Sequence, residues 1–260
     1  MMTKTIMKTF TGTLLASGLA ATSVAAQESR SVAPQYMQRV APALAQYTDE
    51  VLFGEVWPGD GLAPRDRSLI VISALVASGK APQVRSHARI GLENGLTPVE
   101  IGEILTHLAF YSGWPNAVQA AEVVDEVFAA QGIEPVAASE ATGGEAIALE
   151  PEGEVAREKS VNESVGPISL GLADHTNRVV FGDLWRRPQL SPRDRSMVTV
   201  AALIASGQVD QLPYHLGRAF DAGLTAEEAG AAVNHLAFYV GWPKAFSAVP
   251  VLRETVDSRN

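Results

Sequence analysis

The sequence contains no cysteine. Disulfide staples and every form of thiol-based redox chemistry are thereby excluded. An excess of basic residues is also missing: 20 Lys and Arg stand against 29 Asp and Glu, giving a formal charge of −9 at pH 7, so nucleic acid is not an expected partner. Beyond the first 26 residues no run is long and apolar enough to cross a bilayer, and no membrane partner is expected for the mature chain. Neither a glycine-rich phosphate loop nor a serine nucleophile elbow occurs, and no stretch alternates persuasively enough to read as a strand.

What is present begins with an export signal. Lys4 and Lys8 precede an apolar run around Leu14 to Ala21, and small residues follow at Val24, Ala25 and Ala26. This order reads as a signal peptide over 1–26, cut near Ala26, with a periplasmic or secreted product. Hydrophobic residues make up 47% of the chain, enough for one large core or two small ones.

An internal repeat decides for two. Phe53-Gly54 recurs as Phe181-Gly182, Trp57 as Trp185, and Pro64-Arg65-Asp66-Arg67-Ser68 as Pro192-Arg193-Asp194-Arg195-Ser196. His87 returns as His215, Gly95-Leu96-Thr97 as Gly223-Leu224-Thr225, and His107-Leu108-Ala109-Phe110-Tyr111 as His235-Leu236-Ala237-Phe238-Tyr239. Gly113-Trp114-Pro115 returns as Gly241-Trp242-Pro243, always at one constant offset and without a gap from Phe53 to Ala120. The units are placed at 34–132 and 161–257. Between them, 133–160 mixes Glu134, Glu140, Glu145, Glu150, Glu152, Glu154 and Glu158 with Gly, Ala and Pro, and is expected to be a flexible acidic linker.

The punctuation inside each unit is helical. Ser191-Pro192-Arg193-Asp194, Thr97-Pro98-Val99-Glu100 and Thr225-Ala226-Glu227-Glu228 are capping boxes, while Gly79 and Asn94-Gly95 are stop signals. With a leading helix from about Pro42 to Trp57, each unit has about five helices, and the fold class is all-α.

Four of the five histidines fall at paired positions, His87 with His215 and His107 with His235; His175 stands alone. His107 lies at the margin of the apolar stripe formed by Ile101, Ile104, Leu105 and Leu108, with Tyr111 one turn on; His235 and Tyr239 repeat the pattern. Such a pair suits proton transfer, and equally suits a structural bridge between helices. Arg67 and Arg195 fall on inward stripes in the first turn of a helix, where the macrodipole opposes a cation and burial demands an anion. That anion is either a carboxylate ligand or an internal Asp or Glu, while Arg65 reads as a solvated surface residue. Gln83 precedes His87 by one turn, and Gln211 precedes His215, so an amide and an imidazole could orient a substrate together. Trp114 and Trp242 are candidate substrate contacts, though their Gly-Trp-Pro setting favours packing. Two histidines per copy, twenty apart, make a poor metal site, and none is expected.

Taken together, Leu-x-Pro-Arg-Asp-Arg-Ser, Gln-x-x-x-His, Gly-Leu-Thr-x-x-Glu and His-Leu-Ala-Phe-Tyr-x-Gly-Trp-Pro-x-Ala resemble the carboxymuconolactone decarboxylase family in both units. The resemblance implies two tandem alkylhydroperoxidase D-like bundles related by a pseudo-two-fold axis, and a homo-oligomer that is a trimer of tandem chains. The peroxidase branch works through a Cys-x-x-Cys pair just before the histidine, where this chain has Lys80-Ala81-Pro82-Gln83-Val84 and Gln208-Val209-Asp210-Gln211-Leu212. The decarboxylase branch needs no cofactor. By resemblance, Arg67 and Arg195 would bind a substrate carboxylate, His87 and His215 would transfer the proton, and His107 with Tyr111, and His235 with Tyr239, would support them or touch substrate. Ser68 and Ser196 depart from the family pattern, which often has Glu there. The activity so implied is a cofactor-free lyase or isomerase acting on a small lactone or unsaturated carboxylic acid. The competing reading is a non-catalytic exported protein that binds a small acid or serves as an oligomeric scaffold. The catalytic reading requires Arg67, His87 and His107, or their second-copy equivalents, to share a dry hollow.

Overall fold

A computed structural model describes residues 31–259; the signal peptide expected at 1–26 lies outside the described residues. Two short helices, α1 (Gln35–Val40) and α2 (Pro42–Tyr47), lead into a wider π-helical stretch at Thr48–Val56. The first unit continues with α3 (Pro64–Ala77), α4 (Ala81–Glu93), α5 (Pro98–Ser112) and α6 (Trp114–Gln131). After α7 (Ala138–Thr142) and α8 (Pro151–Ser164), the order repeats: α9 (Leu170–His175) with a π-helical Thr176–Phe181, then α10 (Pro192–Ser206), α11 (Leu212–Asp221), α12 (Ala226–Val240) and α13 (Trp242–Asp257). The described residues contain no strand.

Helices α3 and α10 pack together at the centre of the molecule. Their sequences dictate this, because Leu69, Ile70, Val71, Ile72, Ala74, Leu75 and Val76 leave α3 no polar face over two turns, and a helix apolar all round must be wrapped. Ser191 caps α10 by accepting from the Asp194 backbone N–H, whereas Ala63 gives α3 no side-chain cap. Thr97 and Thr225 form reciprocal capping boxes with Glu100 and Glu228, fixing where α5 and α12 begin. Gly113 and Gly241, at φ +90 and +89, turn the chain out of those helices and into α6 and α13.

One packing choice governs everything that follows. Helix α5 packs on α10 of the second unit as well as on its own α3, and α12 packs on α3 as well as on α10. The two units therefore share a single core rather than meeting at a thin interface.

Two expectations are corrected. Residues 133–160 are not a flexible tether: α7 and α8 form there, and the segment straps onto the second unit. Arg187 Nη2 donates to Ala141 O at 2.6 Å, Gln189 Nε2 to Gly143 O at 2.7 Å, and the Ile147 N–H to Arg186 O at 2.7 Å. Glu154 on α8 pairs with Arg157 and Arg218, each at 2.8 Å. The segment is poor in apolar burial but rich in charged and hydrogen-bonded partners, and these hold it. Arg65 is likewise not a free surface residue. It bridges Glu100 at 2.5 Å and Asp194 at 2.8 Å across the unit boundary, as Arg193 bridges Asp66 at 2.9 Å and Glu228 at 2.8 Å.

Candidate active sites between the repeats

Because α5 and α12 each cross to the opposite unit, the predicted residues gather into two clusters of mixed origin. In the first cluster, Trp57, Arg67 and His87 come from the first unit, and His235 and Tyr239 from the second. The Trp57 ring stacks on His87 at 5.8 Å and meets His235 edge-on at 5.0 Å. Tyr239 lies edge-on to His87 at 5.2 Å and stacks on His235 at 5.7 Å. The Trp57 indole N–H donates to Tyr239 Oη at 2.9 Å, which settles the polar tips of both rings in an otherwise apolar setting. Phe53, one turn before Trp57 on the π-helical stretch, backs the indole.

The second cluster mirrors the first. Trp185, Arg195 and His215 come from the second unit, and His107 and Tyr111 from the first. Trp185 stacks on His215 at 5.7 Å and meets His107 edge-on at 5.4 Å; its N–H donates to Tyr111 Oη at 2.8 Å, and Phe181 stacks behind it. Thus His87 and His107 do not share a hollow within one copy. Each site draws one imidazole from each repeat.

Burial sets the electrostatics. All four paired histidines are buried. Desolvation lowers the His87 pKa to about 4. His235 also falls to about 4, from desolvation and then from the nearby charge of Arg67. Desolvation and Arg218 bring His215 to about 3, while desolvation and Arg195 hold His107 well below the ordinary imidazole value. Burial raises both Tyr111 and Tyr239. At neutral pH each cluster is therefore two neutral imidazoles, a neutral phenol and a guanidinium.

The two arginines answer the question of the buried anion differently. Arg195, fully buried, pairs with Glu103 at 2.9 Å, and Glu103 is in turn gripped by Arg187 through bonds of 2.9 to 3.0 Å. Arg67 pairs with no carboxylate among the described residues; its Nη1 donates to the Gly59 and Leu62 carbonyls, and its Nε has no partner. Asp60 and Asp66 act on it only through space. A ligand carboxylate and an internal one had both been open as partners, and the internal one is realised at Arg195.

Other candidates fall outside the clusters. Gln83 and Gln211 are exposed while His87 and His215 are buried, and neither amide bonds to its histidine. Trp114 and Trp242 are 57% and 51% exposed and pack edge-on against Phe110 and Phe238. Ser68 and Ser196 donate to the Pro64 and Pro192 carbonyls of their own helices. His175 is exposed. The residues that the motif reading passed over are Trp57 and Trp185, the central rings of the clusters; their recurrence in the repeat was the available signal.

Fold and site together define a duplicated, all-helical protein whose two sites each combine arginine, histidine and tyrosine across the repeat boundary. The chain belongs to the carboxymuconolactone decarboxylase family, whose sequence profile matches it twice, over residues 42–126 and 171–254. It is 36% identical over 109 residues to the 4-carboxymuconolactone decarboxylase of Acinetobacter baylyi, a match spanning 41% of this chain and 81% of that protein. A nitrosuccinic acid decarboxylase of Metarhizium robertsii is 32% identical over 71 residues, 27% of this chain and half of that protein. Among solved structures, a putative gamma-carboxymuconolactone decarboxylase subunit of Burkholderia xenovorans shares the fold at a TM-score of 0.55 and 20% identity, covering 88% of this chain and 92% of that one.

Proposed function

We propose that the chain is a cofactor-free decarboxylase, or an isomerase of closely related proton-transfer chemistry, acting on a small lactone or unsaturated carboxylic acid. The observation that carries this reading is a buried guanidinium set beside an imidazole of the opposite repeat, Arg67 beside His235 and Arg195 beside His107. Two relatives with named activities, the 4-carboxymuconolactone and nitrosuccinic acid decarboxylases, support a carboxy-lyase over other chemistries.

When an acid of this class loses carbon dioxide, the electron pair of the breaking C–C bond moves into a conjugated acceptor such as the lactone carbonyl. The resulting enolate is quenched by a proton on carbon. A guanidinium at the site holds a carboxylate and favours negative charge. Arg67 is best used on a carboxylate that stays, because holding the departing one would stabilise the ground state more than the transition state. The apolar lining of the cavity at Arg67 and His235, from Val56, Leu62 and Ala231, would keep water from the departing group. The proton is supplied by imidazole. His235 is neutral beside Arg67, but an incoming carboxylate offsets that positive charge and raises the imidazole's affinity for a proton, so binding loads the acid that the next step needs. His87, stacked on Trp57, is the second proton-transfer group, with Tyr239 against both imidazoles. His215, His107 and Tyr111 hold the matching positions around Arg195.

The test is to incubate the purified protein with a panel of butenolide and unsaturated dicarboxylic acids, following ultraviolet absorbance and carbon-13 NMR. Carbon dioxide release or double-bond migration is expected for at least one member, with a loss of 100-fold or more in His235→Gln, on the order of a general acid's contribution. Absence of turnover across the panel, together with ligand binding unchanged by His87→Gln and His235→Gln, would remove the catalytic reading.

A further inference from the structure

The two clusters are alike in their aromatic rings and in the main-chain carbonyl of Gly59 or its counterpart Arg187 that accepts from the arginine, and unlike in the side chains around it. Positions that depart from the repeat account for the difference. Where the second site has Glu103, Arg187 and Thr199, the first has Ala231, Gly59 and Val71.

In the second site these three residues satisfy the polar groups a ligand would need. Glu103, 3% exposed, supplies the carboxylate for Arg195. Thr199 donates to the Arg195 carbonyl at 2.9 Å, so its oxygen accepts from His107 Nε2 at 2.7 Å, leaving His107 Nδ1 to accept from Arg195 Nη1 at 3.2 Å. Both nitrogens of that imidazole are committed. Arg187 closes the array by chelating Glu103 and tying it to the strap through Ala141 O. Above the rings, Arg218 lies 4.5 Å over Trp185, held by Tyr214 and by Glu154 of α8. Helix α4 offers Ser86 and Ile90 at the positions of Tyr214 and Arg218.

The first site leaves the same groups open. Among the described residues Arg67 has no carboxylate partner and His235 Nε2 no hydrogen-bond partner, whereas the Nε atoms of Arg67 and Arg195 are alike in having none. A cavity of about 280 Å³ opens between them, bounded by Glu55, Gly59, Leu62, Arg67, Ala231 and His235. It occupies the place where glycine and alanine replace the Arg187 and Glu103 side chains. Glu55 is solvent-exposed at its edge.

We infer that the chain has one ligand site, not two: the Arg67–His235 cavity takes a small carboxylate, and the Arg195 cluster is closed by Glu103, a built-in carboxylate occupying the ligand's place. This rests on the proposed function for the identity of the ligand class, but concerns binding rather than turnover. A buried arginine that already holds a chelated carboxylate gains nothing by exchanging it for one from solution. An arginine held only by main-chain carbonyls does gain a charge-assisted bond.

Trp57 and Trp185 report on the two sites separately. With 5-fluorotryptophan incorporated and the four resonances assigned by replacing each tryptophan in turn, acetate and succinate titrations followed by fluorine NMR should move Trp57 saturably and leave Trp185 in place. Trp114 and Trp242, outside both clusters, report non-specific effects. The Trp57 response should vanish in Ala231→Glu, which puts a carboxylate where the second site has one, and in Arg67→Met. The double variant Glu103→Ala/Arg187→Gly should give Trp185 a response of its own. Equal responses at Trp57 and Trp185 in the unaltered protein, or none at Trp57, would overturn the inference, whatever the double variant does. Selective binding at Trp57 without turnover of any acid would leave it standing and count against the decarboxylase reading alone.

Discussion

Lowering the pH from 7 to 4 should unfold this protein through its buried imidazoles. The unfolded chain takes up a proton on each histidine near pH 6.5, whereas His87 and His235 in the folded state resist protonation until about pH 4 because burial penalises the cation. For a group with a depressed folded pKa, the stabilisation is complete above the unfolded value and is lost as the pH falls toward the folded one. At pH 4 the loss is about 3 kcal/mol for each of these two residues. His215, lowered to about 3, and His107, lower than the ordinary value for the same reason, add in the same direction. Against a typical total stability of 5–15 kcal/mol, roughly 6 kcal/mol from two residues is decisive. Urea unfolding followed by circular dichroism at half-unit steps from pH 7 to 4 should therefore show stability falling steeply below pH 6.5. His87→Gln should flatten that slope by removing one titrating group, which separates the histidines from carboxylates that also titrate near pH 4. A stability that is flat from pH 6.5 to 4.5, or imidazole proton resonances that titrate near 6.5 in the folded protein, would refute the reasoning.

Glu103→Gln removes the negative charge that Arg187 and Arg195 share and leaves the fully buried Arg195 guanidinium without its carboxylate; a loss of about 3–5 kcal/mol is expected from urea unfolding. Arg218→Ala should release the strap rather than the core, because it cuts the tie to Glu154. Hydrogen exchange in 151–164 should rise sharply while global stability falls by about 1 kcal/mol or less, as for a partly exposed pair. Trp57→Phe deprives the half-buried Tyr239 hydroxyl of its donor and should cost about 0.5–1.5 kcal/mol, again by urea unfolding.

The duplicated architecture was legible because each helix boundary carries its own local chemistry. Thr97 with Glu100, Thr225 with Glu228, and Gly113 and Gly241 all act within a few residues of themselves, so a linear reading finds them. Arg67 and Arg195 were also legible as inward-facing groups on apolar stripes, His107 and His235 at a stripe margin, and His87 and His215 by their recurrence in the repeat. Which of them meet was not. The crossing of α5 onto α10 and of α12 onto α3 is a tertiary choice, and it exchanges His107 and His235 between sites without leaving a mark at either position. The strap was misjudged for a related reason. Apolar content is a sound guide to segments that fold by hydrophobic burial, but Glu154, Gln189 and Arg187 hold theirs by charge and main-chain bonds to distant partners. The difference between the sites did leave a trace. Glu103 against Ala231, Arg187 against Gly59 and Thr199 against Val71 are breaks in an otherwise close repeat, and attention to what the copies share conceals what they do not.

The most direct test of the account is a crystal structure of the protein soaked with a turnover-resistant saturated lactone acid. The account predicts a carboxylate within hydrogen-bonding distance of Arg67 and His235, one side chain from each repeat, with the lactone ring in the cavity against Leu62 and Ala231. An acid found instead at Arg195 with Glu103 displaced, or on the outer surface with the Arg67 cavity unchanged, would contradict it.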